Sequence, residues 1–416
     1  MAGLNIGLSI TVHSFKSTFT LMSIIMRNAF FFVLIMTSLA VFGQSTGSKR
    51  EIREVKLSGS GYELGLQHGK LLNKEIAEII KRMKQNMAKG NEDPEQVIKA
   101  FFAYAQFTDD IKKYAPELYE EVRGIADGSG QPFNDIMVLN LLDEFWVYLN
   151  NQQNIENHHC SGMGVPSING SKSYIAQNMD IEPYTDGFQI LIRLSRTRSR
   201  PEQFILTYPG CIALNGMNET GIGACMNTLM QLKASPKGLP VAFIVRRIIN
   251  SQDRDELLYF MKTVPHASGQ NYIIGIRGEV YDFEASANKV VRFNPNHANG
   301  TVYHTNHPIV NDDVKPWFAE FSPKATEKPT SSNTYIRLAS VQSRVSDQKE
   351  VDDDLIKATL RSKDDPENPV CRSVSGAVRS FTFVSVIMTL TGVPYLQVTA
   401  GAPDESAYKR IDFSRK

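Results

Sequence analysis

The chain has 416 residues, a formal net charge of +1, 42% hydrophobic and 21% charged residues. That length admits one large domain or two, the composition is that of an ordinary soluble globular protein, and the neutral balance lacks the basic excess of a nucleic-acid binder. Four cysteines, Cys160, Cys211, Cys225 and Cys371, with no Cys-x-x-Cys spacing, are too sparse for a disulfide scaffold.

Residues Met26 to Gln44 read as a secretory signal peptide: Arg27 gives the positive flank, Ala29 to Leu39 the apolar run, and Val41-Phe42-Gly43 a cleavage site. Met1 to Ile25 has no such logic and fits an over-extended start, with the true start at Met26. A single anchoring helix over Leu21 to Phe42 is the competing reading, interrupted by Arg27 and Asn28. Either way the chain is expected to leave the cytoplasm: periplasmic or extracellular with no stable membrane span once the signal is removed, or anchored by residues 21–42 on the competing reading.

After the polar stretch Ser45 to Arg50, Val55-Lys56-Leu57 reads as a strand. Leu64, Leu71, Leu72, Ile76, Ile79, Ile80 and Met83 follow at helical spacing, in one helix ended by Gly90. Asp93-Pro94 opens another, and Ile111 to Asp127 and Asn134 to Asn150 read as two more, the last with Asn134 as N-cap. His68 in this mainly α region is either an active-site group or a surface or capping histidine, and Trp146 and Tyr148 read as packing aromatics.

From Cys160 the pattern turns to β. Ser173 to Ala176, Phe188 to Leu194, Phe204 to Tyr208, Ile212 to Leu214 and Gly223 to Met226 are short strands separated by turns. Leu239 to Asn250 and Arg254 to Met261 read as helices, Tyr272 to Ile276 and Val280 to Phe283 as a hairpin, and Val302 to His304 as a strand. Thr334 to Arg344 is helical, and Phe381 to Met388 and Tyr395 to Thr399 close the chain. Strands, then helices, then strands suit two antiparallel sheets sandwiched between helical layers, an α+β fold. Cys211 and Cys225 sit in apolar, strand-like surroundings and read as core thiols.

A cysteine placed just before a hairpin, with about 160 residues ahead of it, points to a new N-terminus made by cleavage at His159-Cys160. The chemistry supports this. Thiol attack needs thiolate, and a free cysteine titrates near 8.5. An N-terminal cysteine carries its own base, an α-amine of pKa about 7.7 to 8, so one residue supplies nucleophile and proton acceptor. No histidine is placed as a papain-type partner.

Cys160-Ser161 followed by Gln177-Asn178-Met179-Asp180 resembles the opening of the isopenicillin-N acyltransferase (acyl-CoA:6-aminopenicillanic acid acyltransferase) family. These are self-cleaving N-terminal-nucleophile (Ntn) hydrolases related to penicillin V acylases and choloylglycine hydrolases. Gly216-Met217-Asn218-Glu219-Thr220-Gly221 with Asn227, His304-Thr305-Asn306-His307-Pro308, Ser385 to Met388 and Gly401-Ala402-Pro403 resemble its later motifs in the same order. The resemblance implies the αββα sandwich, with a leader over 1–43, a helical pro-segment over 44–159 that stays attached as the smaller subunit, and a catalytic core over 160–416. It implies Cys160 as nucleophile, Asp180 orienting its α-amine, and Asn306 and Asn227 as oxyanion donors. The plain alternatives are turn residues in each case. Asn178 fixes the turn or strand pairing. Gln177 stands where the bile-salt-hydrolysing branch has arginine, which favours the acyltransferase-like branch. The family's Ser-Arg pair is missing: Ser331-Ser332-Asn333 is followed only at Arg337 by an arginine, either a displaced equivalent or a surface charge.

The expected activity is hydrolysis of a linear amide, or acyl transfer to an amine, through a thioester on Cys160, with no cofactor. The partners are a small-molecule amide and the chain's own pro-segment, and no nucleic acid. Three other readings stand: an exported Ntn-like binding protein without activity, an uncut enzyme in which Cys160 needs an external base, and a zinc hydrolase drawing on His158, His159, Cys160, His304 and His307. Adjacent histidines in an extended segment point to opposite faces, which counts against zinc.

Overall fold

The computed structural model describes residues 50–89, 93–153, 159–320, 332–374 and 380–414. The leader expected at Met26 to Gln44, the anchor alternative at Leu21 to Phe42, and Gly90, His158 and Ser331 lie outside them. Among the described residues no helix is long and apolar enough to cross a membrane.

Strand β1 (Arg53–Leu57) leads into helices. The 3.6-residue period places Leu64, Leu72, Ile76, Ile79, Ile80 and Met83 in the core, while Leu71 is exposed. The one helix expected there is two, α1 (Gly61–Leu71) and α2 (Asn73–Ala88), joined at Leu72, whose backbone leaves helical geometry with φ −121° and ψ 23°. Helix α3 (Pro94–Tyr104) starts at Asp93, whose side chain accepts from Glu95 N–H at 3.0 Å. The helix expected over Ile111 to Asp127 divides into α4 (Thr108–Tyr114) and α5 (Pro116–Ser129). Pro116 has no N–H to continue the ladder and pushes Ala115 out of helical geometry. The last helix also divides, into α6 (Phe133–Leu139), whose N-cap is Pro132 rather than Asn134, and α7 (Leu142–Gln153). Tyr148 meets Phe101 and Tyr104 with ring centroids 5.6 and 5.2 Å apart, and Trp146 meets Phe145 at 5.9 Å, so both aromatics pack.

Helices α1 and α5 cross backbone to backbone. A Cβ on Gly65 would stand 1.9 Å from the Glu121 carbonyl oxygen, and one on Gly124 2.2 Å from that of Tyr62. Only glycine permits this approach.

Strands β2 (Ser161–Val165), β3 (Tyr174–Ile181), β11 (Val302–His304), β12 (Phe381–Thr389), β13 (Tyr395–Ala400) and β14 (Lys409–Asp412) form a six-stranded sheet, ordered β11-β2-β3-β12-β13-β14. The other sheet has eight strands: β4 (Ile190–Leu194), β5 (Gln203–Thr207), β6 (Asn215–Asn218), β7 (Ile222–Thr228), β8 (Gln270–Ile276), β9 (Glu279–Ala285) and β10 (Val290–Phe293) follow β1 in that order. All neighbours are antiparallel except β1 and β4, which run parallel from Arg53 beside Ile190 to Leu57 beside Leu194. The sheets pack face to face: a Cβ on Gly164 of β2 would lie 2.4 Å from Val280 Cγ1 of β9. Helix α8 (Val241–Asn250) covers β6 and β7. Helices α10 (Asn333–Val345) and α11 (Asp353–Leu360) cover the six-stranded sheet, and α9 (Arg254–Thr263) follows α8. This is the αββα sandwich of an α+β protein.

The strand expected at Ile212 to Leu214 is a bend between β5 and β6, because the backbone groups of Ile212 go to side chains. Ile212 N–H donates to Asn140 Oδ1 at 2.8 Å, and Ile212 O accepts from Arg246 Nη1 at 2.9 Å. The same bend receives the helical region: Asn140 Nδ2 donates to Gly210 O at 2.9 Å and Tyr208 Oη to Leu139 O at 2.7 Å. His68 is neither at the surface nor a cap. It is fully buried, its Nε2 accepts from Gly210 N–H at 3.0 Å, and burial pushes its pKa down to about 3.

Candidate active site

Cys160 ends the approach to β2, so the sheet register fixes its surroundings. Ser161 lies opposite Asn178 and Gly162 opposite Gln177. The thiol is buried, with Sγ 3.9 Å from the Asp180 backbone oxygen. Burial, with the neighbouring Asp180 charge, pushes it up to about 12, so in the uncut chain it is a neutral thiol. Cys211, Cys225 and Cys371 are likewise buried and free.

Strand alternation sends the β3 motif residues to different layers. Gln177 turns between the sheets, where its Nε2 donates to Asn227 Oδ1 at 3.0 Å and to Met226 O, and its Oε1 accepts from Asn215 Nδ2 at 3.0 Å. Asn178 faces the other way, donating to Leu360 O at 2.7 Å and Val370 O at 3.0 Å, and so ties α11 to its sheet. Asp180 accepts from Thr382 Oγ1 at 2.8 Å, and its Oδ2 lies 3.5 Å from Arg372 Nε. Burial raises its carboxyl to about 7, against the pull of Arg372.

Asn306 and Asn227 come from different strand ends. Asn306 Nδ2 donates to Thr228 O at 3.1 Å, and its N–H is held by Thr334 Oγ1 at 2.8 Å. Asn227 Nδ2 donates to Asn271 Oδ1 at 3.0 Å and to His304 O at 3.4 Å, a link between the two sheets.

Arg337 draws these parts together. It is no surface charge: it is fully buried, and all of its named partners are neutral oxygens. Nη1 donates to Cys160 O at 2.5 Å and Ser161 Oγ at 2.9 Å, Nη2 to Asn306 Oδ1 at 2.9 Å, and Nε to Asn333 Oδ1 at 2.7 Å. Burial lowers its pKa to about 10, leaving it a cation at neutral pH. Asn333 Oδ1 also lies 3.0 Å from His159 Nδ1. Ser161 and Asn333 stood in the sequence only as motif positions, and Arg372 and Thr382 carried no signal there, since each matters through a partner distant in the chain.

The histidines near the site have other partners. His304 Nε2 lies 2.8 Å from Glu284 Oε1, and although burial opposes it, that carboxylate raises the imidazole above its ordinary value. His307 Nδ1 lies 2.9 Å from Thr334 Oγ1, and its ring stacks on Tyr335 at 3.8 Å. Among the described residues no three His, Cys, Asp or Glu side chains converge as metal ligands, so the zinc alternative finds no ligand set there.

The family model described as acyl-coenzyme A:6-aminopenicillanic acid acyl-transferase matches residues 168–394. That stretch is over half of the chain and holds Asp180, Asn227, Asn306 and Arg337, while Cys160 precedes it. A curated relative, the acyl-coenzyme A:6-aminopenicillanic-acid-acyltransferase 40 kDa form of Emericella nidulans, is 26% identical over 265 residues, covering 62% of this chain and 70% of its own. Two solved structures are more distant. The Caenorhabditis elegans N-acylethanolamine-hydrolyzing acid amidase ortholog has 14% identity and a TM-score of 0.38, over 55% of this chain and 92% of its own. The C2A mutant of conjugated bile acid hydrolase from Clostridium perfringens has 15% identity and a TM-score of 0.40, over 61% and 92%. With a family match over more than half its length, this chain belongs to the acyl-coenzyme A:6-aminopenicillanic acid acyl-transferase family.

Proposed function

We propose that the chain is an exported, self-processing cysteine Ntn enzyme. It cleaves its own His159–Cys160 bond and then hydrolyses a linear amide, or passes the acyl group to an amine, through a thioester on Cys160. The observation that carries this reading is the Arg337 junction: one buried guanidinium touches the Cys160 carbonyl, Ser161, Asn306 and Asn333.

In the uncut chain the Cys160 nitrogen is an amide and cannot accept a proton. Scission turns it into an amine on the same residue as the thiol. Asp180, with Oδ2 beside Arg372, is the carboxylate that would hold that ammonium, and an ammonium would lower the Asp180 pKa in return. Attack on a substrate carbonyl creates an oxyanion. The Asn306 amide, with one N–H beyond the one given to Thr228 O, and the Arg337 cation supply positive potential for it, while Asn227, whose N–H groups go to Asn271 and His304, would join by turning from them; a preorganised donor is worth about 2.7–4 kcal/mol. The released amine takes the proton held by the Cys160 α-amine. Water or an acceptor amine then releases the acyl group.

Purified, exported protein is expected to run as two fragments on a denaturing gel, the larger beginning at Cys160 by mass spectrometry. Cys160→Ala is expected to run as one, without turnover. A one-piece wild-type protein that hydrolyses amides at full rate would sink the reading.

A further inference from the structure

Two linked side chains of one helix grip the two sides of the bond that the proposed self-processing breaks. Asn333, the first residue of α10, takes the Arg337 Nε–H on its Oδ1 at 2.7 Å, and the same oxygen is 3.0 Å from His159 Nδ1. A guanidinium only donates, so that oxygen is an acceptor. Asn333 Nδ2 is committed to Asn368 Oδ1 at 2.9 Å, which fixes the amide orientation. His159 must therefore present an N–H at Nδ1. Arg337, held by this same Asn333, donates to the Cys160 carbonyl at 2.5 Å and to Ser161 Oγ at 2.9 Å. His159 is thus tethered by its ring and Cys160 by its backbone, from the first and second turns of one helix.

We propose that His159 and Asn333 form a maturation clamp: positioning residues that hold the His159 carbonyl for attack by the Cys160 thiol. The His159 arm serves only the cut. The inference rests on the self-processing reading. In the step it serves, Cys160 Sγ loses its proton and bonds to the His159 carbonyl carbon. The C–N bond to Cys160 breaks, its nitrogen takes up a proton, and His159 is left as a thioester on Cys160. One water then hydrolyses the thioester to a His159 carboxylate, the thiol and a free α-amine. Atoms balance with water alone. A scissile carbonyl displaced by about 1 Å costs on the order of 100-fold in rate, so a tether on the residue that carries it is enough to govern the cut.

The test follows fragment formation over time in freshly synthesised full-length chain. His159→Phe keeps the ring and loses the donor, and is expected to slow the cut by about 10- to 100-fold. His159→Asn, which restores an N–H near the Nδ1 position, is expected to recover most of the rate. Asn333→Leu is expected to slow it at least as much as His159→Phe. Once cut, the His159→Phe protein is expected to alkylate at Cys160 with iodoacetamide at the wild-type rate. A wild-type cutting rate in His159→Phe overturns the clamp. So does altered labelling of its cut form, which would make the residue part of the mature site. A wild-type chain that never cuts overturns the self-processing reading itself, and the clamp with it.

Discussion

Among the described residues two arginines are buried, Arg246 and Arg337, and their surroundings differ. Arg246 on α8 meets Glu121 of α5 in a two-pronged pair at 2.8 and 2.9 Å, with the side chains 1% and 2% exposed. Arg337 on α10 is buried as deeply but hydrogen-bonds only to neutral oxygens, among them the Cys160 carbonyl. The first charge is paired where it stands and joins the helical region to the core. The second keeps its field and directs it at the thiol. Burying a charge is costly in either case; Arg246, paired with Glu121, acts on His68 of the helical region, whereas the field of Arg337 falls on Cys160.

Substitutions sharpen the contrast. Removing Arg246 leaves Glu121 buried without its cation. Arg246→Met is therefore expected to cost about 3–5 kcal/mol of stability, measured by denaturant unfolding, while the paired change Glu121→Leu with Arg246→Met recovers most of it. Arg337→Met removes a charge that has no counter-charge hydrogen-bonded to it, so the stability cost is expected to be smaller and the loss of turnover larger, about 100- to 1,000-fold. Equal effects of the two arginine changes on both readouts would erase the distinction.

A third expected effect is a dependence on pH. Burial lifts Asp180 to about 7 in the folded, uncut chain, against about 3.9 when unfolded. Between these values the unfolded chain has lost the proton and the folded chain keeps it, so this group's contribution to stability falls as pH rises from about 4 to 7 and is flat above. In an uncut Cys160→Ala background, Asp180→Asn is expected to gain stability relative to its parent across that window, by at most about 1.4 kcal/mol per pH unit. A difference between the two that is constant with pH would mean that Asp180 is not held protonated.

The same contrast marks what could be read ahead of the structure. The short apolar runs that became β8, β9, β12 and β13, the period-two alternation of β4, and the helical spacing from Leu64 to Met83 encode burial within a few residues of each position. The motifs around Cys160, Asp180, Asn227 and Asn306 are short stretches whose residue types already imply acyl-transfer chemistry. The helix breaks at Leu72 and Asn140 were hidden because apolar spacing continues through them.

The sequence by itself determined the strand and helix patterns, the family, and the cysteine on which the proposed chemistry turns, because each is written in neighbouring residues. Only the tertiary structure decided that Arg337 is interior rather than exposed, that His68 is a buried acceptor, and that Asn333 joins His159 to Arg337. Arg337 and Cys160 are 177 positions apart, and His159 and Asn333 are 174. Partnerships of that reach depend on which faces two sheets and a helix present to each other, and no local pattern of residues carries that information.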